Sequence, residues 1–268
     1  MKYNIIILAI LILIIYIIIR YLLYNVIDKL LYQPVKITNY NHNQSDEIII
    51  KSLDNQDYIY IIQKINPNSK KHIIYSHGSA TNMNNNMEVL NILNQFCSVT
   101  MYDYRGYGKS TGKSSEETLK IDILTVYMYL TNIDGIDPHN IILYGKSLGV
   151  FPTLFLAKYL ENKKIKLNHI VIESGFASTH DIISNMIPSI FSKILFVNRY
   201  KNKDLIKDLD SPILLAHSPN DEIVRFNNKD ELLKHNNKIK FFELSTSSHY
   251  DDSLNGLYLD LLKNIIQK

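Results

Sequence analysis

Tryptophan is absent from the 268 residues, and cysteine occurs once, at Cys97. A single thiol excludes internal disulfides and sits more comfortably with a reducing compartment than an oxidising one. Charge of one sign is equally scarce: 29 Lys and Arg against 26 Asp and Glu leave a formal net charge of +3. That excess is too small to argue for nucleic-acid binding, and no basic cluster interleaved with aromatics supplies a local site. No internal repeat is present, which excludes a repeat architecture. The missing tryptophan accompanies an excess of Ile, Asn, Lys and Tyr, a compositional bias that carries no functional message.

What is abundant is concentrated at the N-terminus. Asn4 to Ile19 is almost unbroken Ile and Leu, and apolar character resumes after Arg20 with Tyr21-Leu22-Leu23-Tyr24. A helix of about 20 residues rises about 30 Å, the thickness of one bilayer core. Arg20 can snorkel to headgroups, and Tyr16, Tyr21 and Tyr24 suit an interface. No small-x-small cleavage site follows, which favours a retained single-pass anchor over a cleaved signal peptide. Lys2 and the terminal amine precede the span while Arg20, Lys29 and Lys36 follow it, so the positive-inside count leans toward a cytosolic hydrophilic domain. Asn43-Gln44-Ser45 is the one glycosylation sequon found, and it reads as chance.

The rest of the chain is long enough for one domain with a full core. Glu47–Lys51 and Asp57–Lys64 read as an antiparallel pair joined by Leu53-Asp54-Asn55-Gln56. Strands follow near 72–76, 96–102, 140–144, 169–173, 212–217 and 239–244, with helical patterns between them, notably Glu116–Leu130 entered through Ser114-Ser115-Glu116-Glu117 as a cap. Strands alternating with helices imply an α/β fold with a mostly parallel sheet, covered on both faces, whose site lies at the carboxyl ends of the strands.

Gly145-Lys146-Ser147-Leu148-Gly149 falls where one of those strands hands over to a helix beginning at Val150. In that context G-x-S-x-G is a nucleophile elbow. The turn forces the serine into a strained conformation, Gly145 and Gly149 remove side chains that would clash, and the helix N-terminus offers N–H groups to an oxyanion. A triad on this framework runs Ser, then acid, then His. Ser211-Pro212 to His217 reads as a strand ended by Ser218-Pro219-Asn220-Asp221-Glu222, which makes Asp221 the acid; Ile239–Leu244 reads as the last strand, and His249 follows it as the base. Glu173 is the alternative acid, although its expected role is to orient a neighbouring loop. Besides the N–H of Leu148, oxyanion binding needs a second donor. Lys71–Ser76 ends in His77-Gly78-Ser79, which places the Ser79 amide there, with the Ala80 amide as the alternative. His77 is expected to be a packed turn residue, and Asp103 and Arg105 to brace their loop. Asp251 onward reads as a terminal helix.

These blocks, together with Tyr102-Asp103-Tyr104-Arg105-Gly106-Tyr107-Gly108-Lys109-Ser110-Thr111-Gly112-Lys113, resemble serine α/β-hydrolases from about Tyr32 to the C-terminus. Ser147-Leu148-Gly149 followed by Pro152-Thr153 and Leu156-Ala157 is similar to the elbow helix of the branch of α/β-hydrolase-domain proteins that includes the protein depalmitoylases, whose blocks related membrane lipases share. There are departures: Ser79 stands where the branch often has Asn, and Ser247-Ser248 where a Gly-Gly or Ala-Gly often precedes the histidine. The depalmitoylases carry an acylated N-terminal cysteine cluster, which this chain lacks, so its membrane attachment must differ. The resemblance implies an α/β-hydrolase domain over 32–268 behind an anchor over 1–31, and a short cap at about 177–210 in which Ile182–Phe196 forms either an amphipathic lid or an ordinary packed helix. It further implies a long-chain acyl ester or thioester as substrate, on a membrane protein or a lysophospholipid or other monoacyl lipid, hydrolysed with no metal and no organic cofactor. A general carboxylesterase, a peptidase or a catalytically silent scaffold of the same fold are the competing readings; oligomeric state stays open.

Overall fold

A computed structural model describes residues 2–36, 46–183, 188–244, 248–249, 254 and 256–267. The sequon at 43–45, most of the serine-rich run before His249 and the expected helix start near Asp251 lie outside them, as do residues 184–187 of the cap.

Helix α1 (Lys2–Leu31) opens the chain, followed by the hairpin β1 (Glu47–Lys51) and β2 (Tyr58–Lys64) and then by β3 (His72–Ser76). Helix α2 (Met87–Asn94), β4 (Ser98–Tyr102), α3 (Glu116–Asn132), β5 (Ile141–Lys146) and α4 (Val150–Asn162) build the first half of the sandwich. Beyond β6 (His169–Glu173) come the short cap helices α5 (Thr179–Ile183), α6 (Ser189–Leu195) and α7 (Asn202–Ile206), and then β7 (Ile213–His217), α8 (Asn228–Leu233), β8 (Lys240–Glu243) and α9 (Gly256–Ile266). The eight strands form one sheet in the order β1-β2-β4-β3-β5-β6-β7-β8, antiparallel as far as β4 and parallel from there to β8. This is an α/β-hydrolase fold.

Strand periodicity explains both faces. Ile141 and Leu143 of β5 pack with α3 and α4 through Leu119, Ile123, Leu154 and Leu160, whereas Ile142 and Tyr144 turn to α2 and α9 through Leu90, Leu93, Tyr258 and Leu262. Ser115 caps α3 in a capping box with Thr118 as its partner, at the position the sequence indicates. Arg105 braces its loop as expected: its Nε lies 2.8 Å from Asp122 and its Nη1 2.7 Å from Asp54, while Asp103 accepts the Met83 amide at 2.9 Å.

Three expectations shift. Strand β4 begins at Ser98 rather than 96, because Phe96 and Cys97 close the turn after α2, where their amides bond Leu93 O. Within the helical pattern of Ile182–Phe196, whose residues 184–187 lie outside the described ones, Pro188 is non-helical and stands as the N-cap of α6. Strand β5 runs on through Gly145 and Lys146, delivering the serine at the strand's end.

His72 opens the central strand β3, with a hydrogen bond to Thr100 Oγ1 at 2.7 Å, and burial pushes its pKa down to about 4. The unfolded chain therefore takes up a proton near pH 6.5 that the fold resists, so stability falls as pH drops from about 6.5 to about 4, by on the order of 3 kcal/mol. Thermal midpoints recorded in detergent between pH 7 and 4.5 should decline more steeply for the native chain than for His72→Gln. Parallel declines would assign the acid sensitivity elsewhere.

Candidate active site

Ser147 sits at the turn between β5 and α4 with φ of 53°, a left-handed value that costs a non-glycine residue roughly 1–2 kcal/mol. The flanking glycines make the turn sterically possible. A Cβ at Gly149 would lie 2.0 Å from Ser76 O, and one at Gly145 would lie 2.5 Å from Gly149 O. The serine is thereby lifted above the sheet at the carboxyl end of β5.

Asp221 stands in the turn after β7, where the amides of Val224 and Ile223 donate to its Oδ1 at 2.7 and 3.0 Å. His249 reaches it from beyond β8: Nδ1 lies 2.8 Å from Asp221 Oδ2, and Nε2 lies 3.1 Å from Ser147 Oγ. All three are buried. Burial alone would raise the Asp221 pKa, but His217, His249 and the Val224 amide reverse that and hold the carboxyl below its usual range. The ionised carboxylate keeps the proton on Nδ1, so the lone pair of Nε2 faces the serine hydroxyl. Residues spread over 102 positions of sequence thus meet in one hydrogen-bonded line.

The turn at 77–80 packs beside the nucleophile, and a Cβ on Gly78 would stand 3.6 Å from Ser147 Cβ. Gly78, Ser79, Ala80 and Leu148 all border one cleft of about 680 Å³. His77 is a packed turn residue as expected: its Nδ1 lies 2.6 Å from Gly78 O, and its ring rests 4.3 Å from that of Tyr104. Glu173 turns to Lys146, 2.8 Å from its Nζ, and to the Tyr144 hydroxyl, while His249 takes Asp221.

Two features escaped the sequence reading. His217, at the end of β7, is fully buried with Nε2 2.8 Å from Val224 O and 3.4 Å from Asp221 Oδ2, so it supports the acid from below. The larger surprise is that the end of α1 lines the cleft: Leu23, Ile27 and Leu31 border it together with Phe176, Ile183 and Phe196. A signal was present. After Arg20 the unbroken apolar run gives way to Leu23, Val26, Ile27, Leu30 and Leu31 with Asn25, Asp28 and Lys29 between them, the spacing of a helix with one packed face.

The last turns of α1 are tied down by the cap. Arg199, 5% exposed, places Nη1 2.5 Å from Asp28 and Nε 3.2 Å from Glu116 of α3, and its guanidinium lies 4.2 Å from the centre of the Tyr24 ring. The hydroxyls of Tyr32 and Tyr200 contact each other beside it. Upstream, Tyr3–Leu31 has a mean hydropathy of 3.0 in its most apolar window, none of it buried, so α1 is long and apolar enough to cross a bilayer.

A parallel sheet carrying a serine elbow at one strand end, with an acid and a histidine delivered by later loops, defines the α/β-hydrolases. A solved α/β-hydrolase from Vibrio vulnificus superposes with a TM-score of 0.68 at 22% identity, covering 82% of this chain and 80% of that one. No protein-family model matches the chain. It is 30% identical over 206 residues to alpha/beta hydrolase domain-containing protein 17B of Xenopus tropicalis, covering 76% of this chain and 68% of the relative. The human protein of the same name is 29% identical over 208 residues, covering 76% and 69%. The chain belongs to the alpha/beta hydrolase domain-containing protein 17 family.

Proposed function

We propose that this protein is a membrane-anchored serine hydrolase that cleaves long-chain acyl esters or thioesters, carried by an S-acylated protein or a monoacyl lipid. The observation that carries the reading is the Ser147–His249–Asp221 line opening into an apolar cleft walled by the membrane-proximal end of α1. Its volume of about 680 Å³ falls among those of ligand sites, roughly 300–1,000 Å³. The resemblance to the depalmitoylase branch supports the same substrate class. Residues 1–31 serve as the anchor and 32–268 as the hydrolase domain, with the last turns of α1 belonging to both. The excess of Lys and Arg after the span supports a cytosolic domain.

In this mechanism His249 Nε2 takes the Ser147 proton as Oγ attacks the acyl carbonyl, while Asp221 stabilises the imidazolium. The amides of Leu148 and Ser79 receive the oxyanion. Collapse of the tetrahedral species expels the thiolate or alkoxide, protonated by His249. A water deprotonated by His249 then attacks the acyl-enzyme, releasing the fatty acid and restoring the serine.

The test is an acyl-chain series assayed with the full-length protein in vesicles, alongside fluorophosphonate labelling. Rates should rise with chain length, and an S-acylated protein or single-chain lipid should outpace soluble short esters, because each buried CH₂ contributes about 0.8 kcal/mol. Labelling with a preference for acetyl or butyryl esters would mark a general carboxylesterase. Absence of labelling would mark a silent scaffold.

A further inference from the structure

The cap meets α1 within the stretch that spans the membrane. Tyr16 Oη donates to Ile194 O of α6 at 2.9 Å, and Arg20 Nη1 donates to the same hydroxyl at 3.0 Å. At about 1.5 Å per residue, a hydrocarbon core of about 30 Å that begins near Tyr3 ends near Leu22 or Leu23. Tyr16 then lies about 10 Å below that boundary, by the same rise per residue. A helix held at that level cannot be surrounded by water.

The surface of α6 suits such a place. Ile190, Phe191 and Ile194 are 62, 54 and 48% exposed, and Val197 just beyond the helix is 39% exposed, whereas Ser192 is buried. The sole charge on α6 is Lys193, whose long stem can carry its ammonium to the headgroups. Interfacial helices lie about 5–10 Å into the headgroup–acyl boundary, the depth that the Tyr16 contact sets. Phe196, one residue past α6, lines the cleft, as does Leu23 at the calculated end of the span.

We propose that α6 is a second membrane contact, lying in the same leaflet as the last turns of the α1 span with Ile190, Phe191 and Ile194 among lipid acyl chains. The proposal rests on the reading of α1 as a bilayer anchor. Continuity with that span is what commits the exposed face to lipid rather than to a protein partner. Its consequence is that the cleft, whose lining includes Leu23 and Phe196, adjoins the boundary of the hydrocarbon core beside α6, so a chain leaving the leaflet meets an apolar path toward Ser147.

Because the chain contains no tryptophan, a single introduced indole reports its surroundings without background. The full-length variant Phe191→Trp would be placed in phosphatidylcholine vesicles whose acyl chains are brominated near the headgroup. Ile12→Trp serves as the span control. Ile133→Trp serves as the water control: it is 73% exposed at the far end of α3, a 17-residue helix whose first residue pairs with Arg199 beside the cap. The expected result is blue-shifted emission and quenching for Phe191→Trp of at least half the Ile12→Trp value, with Ile133→Trp unquenched. Ile190→Trp, on the same face, gives the same reading should Phe191→Trp fail to fold. Quenching of Ile12→Trp but of neither α6 position overturns the proposal while leaving the anchor intact. No quenching at any position overturns the anchor and the proposal with it. Quenching at Ile133 as well would show non-specific adsorption and overturn the assignment to α6.

Discussion

Asp221→Asn is expected to lower kcat roughly 10³- to 10⁴-fold with little loss of stability, and His249→Ala to do the same. With its Oδ1 held by the Val224 and Ile223 amides, the asparagine would turn an N–H toward Nδ1, so the imidazole takes the tautomer that presents an N–H, not a lone pair, to Ser147 Oγ. The present distances of 2.8 Å from Asp221 to His249 and 3.1 Å from His249 to Ser147 leave no other ring nitrogen for the serine. Ser147→Ala should abolish fluorophosphonate labelling and hydrolysis together, since the probe reports an activated hydroxyl without reference to substrate. Single-turnover kinetics on a thioester, with circular dichroism as the check on folding, measures all three. If Glu173→Gln proved damaging and Asp221→Asn mild, the acid would have been misassigned, and labelling that survived Ser147→Ala would place the nucleophile elsewhere.

Ile27→Trp is expected to lower the ratio of long-chain to acetyl kcat/KM on the order of a hundredfold. Ile27 lines the cleft with Leu23, Leu31, Phe176 and Ile183, and an indole there would fill space that about four methylenes occupy. Excluding four methylenes forfeits about 3 kcal/mol of burial, and every 1.4 kcal/mol is a factor of ten. The loss should therefore grow with chain length, not act as a uniform reduction. A uniform reduction across the series would mean that α1 supports the fold without contacting the acyl chain. The Arg199 clamp makes the wall rigid enough for this difference to be measurable, because the helix that carries Ile27 is held at Asp28 and Tyr24.

Most of the framework was readable before any coordinates. Strand positions were readable because β-branched runs bounded by polar turns recur with the spacing of a βα alternation, and α3 because its cap precedes an apolar period of 3.6. Boundaries moved by one or two residues where a turn competed locally, as at Cys97. Within Ile182–Phe196 helical spacing gives no sign that Pro188 stands outside α6 as its N-cap, because the apolar period persists on both sides of it. The elbow was legible because its steric demand falls on two glycines at fixed positions. The positions of Asp221 and His249 were legible because each follows a strand that runs parallel to β5.

The sequence by itself determined the elbow and the span-length apolar helix, since each depends on spacing within some thirty residues, and the fold class, since strands and helices alternate along the whole domain. Only the tertiary structure decided that His217 stands behind Asp221, that Glu173 turns to Lys146 and Tyr144, and that α1 ends as a wall of the cleft under the grip of Arg199. Apart from the His217–Asp221 pair, which shares one turn, those contacts join residues far apart in sequence, up to the 171 positions between Asp28 and Arg199. Their pairing is set by how the helices pack over a twisted sheet, and that packing leaves in the sequence only an amphipathic face and not the identity of what it faces.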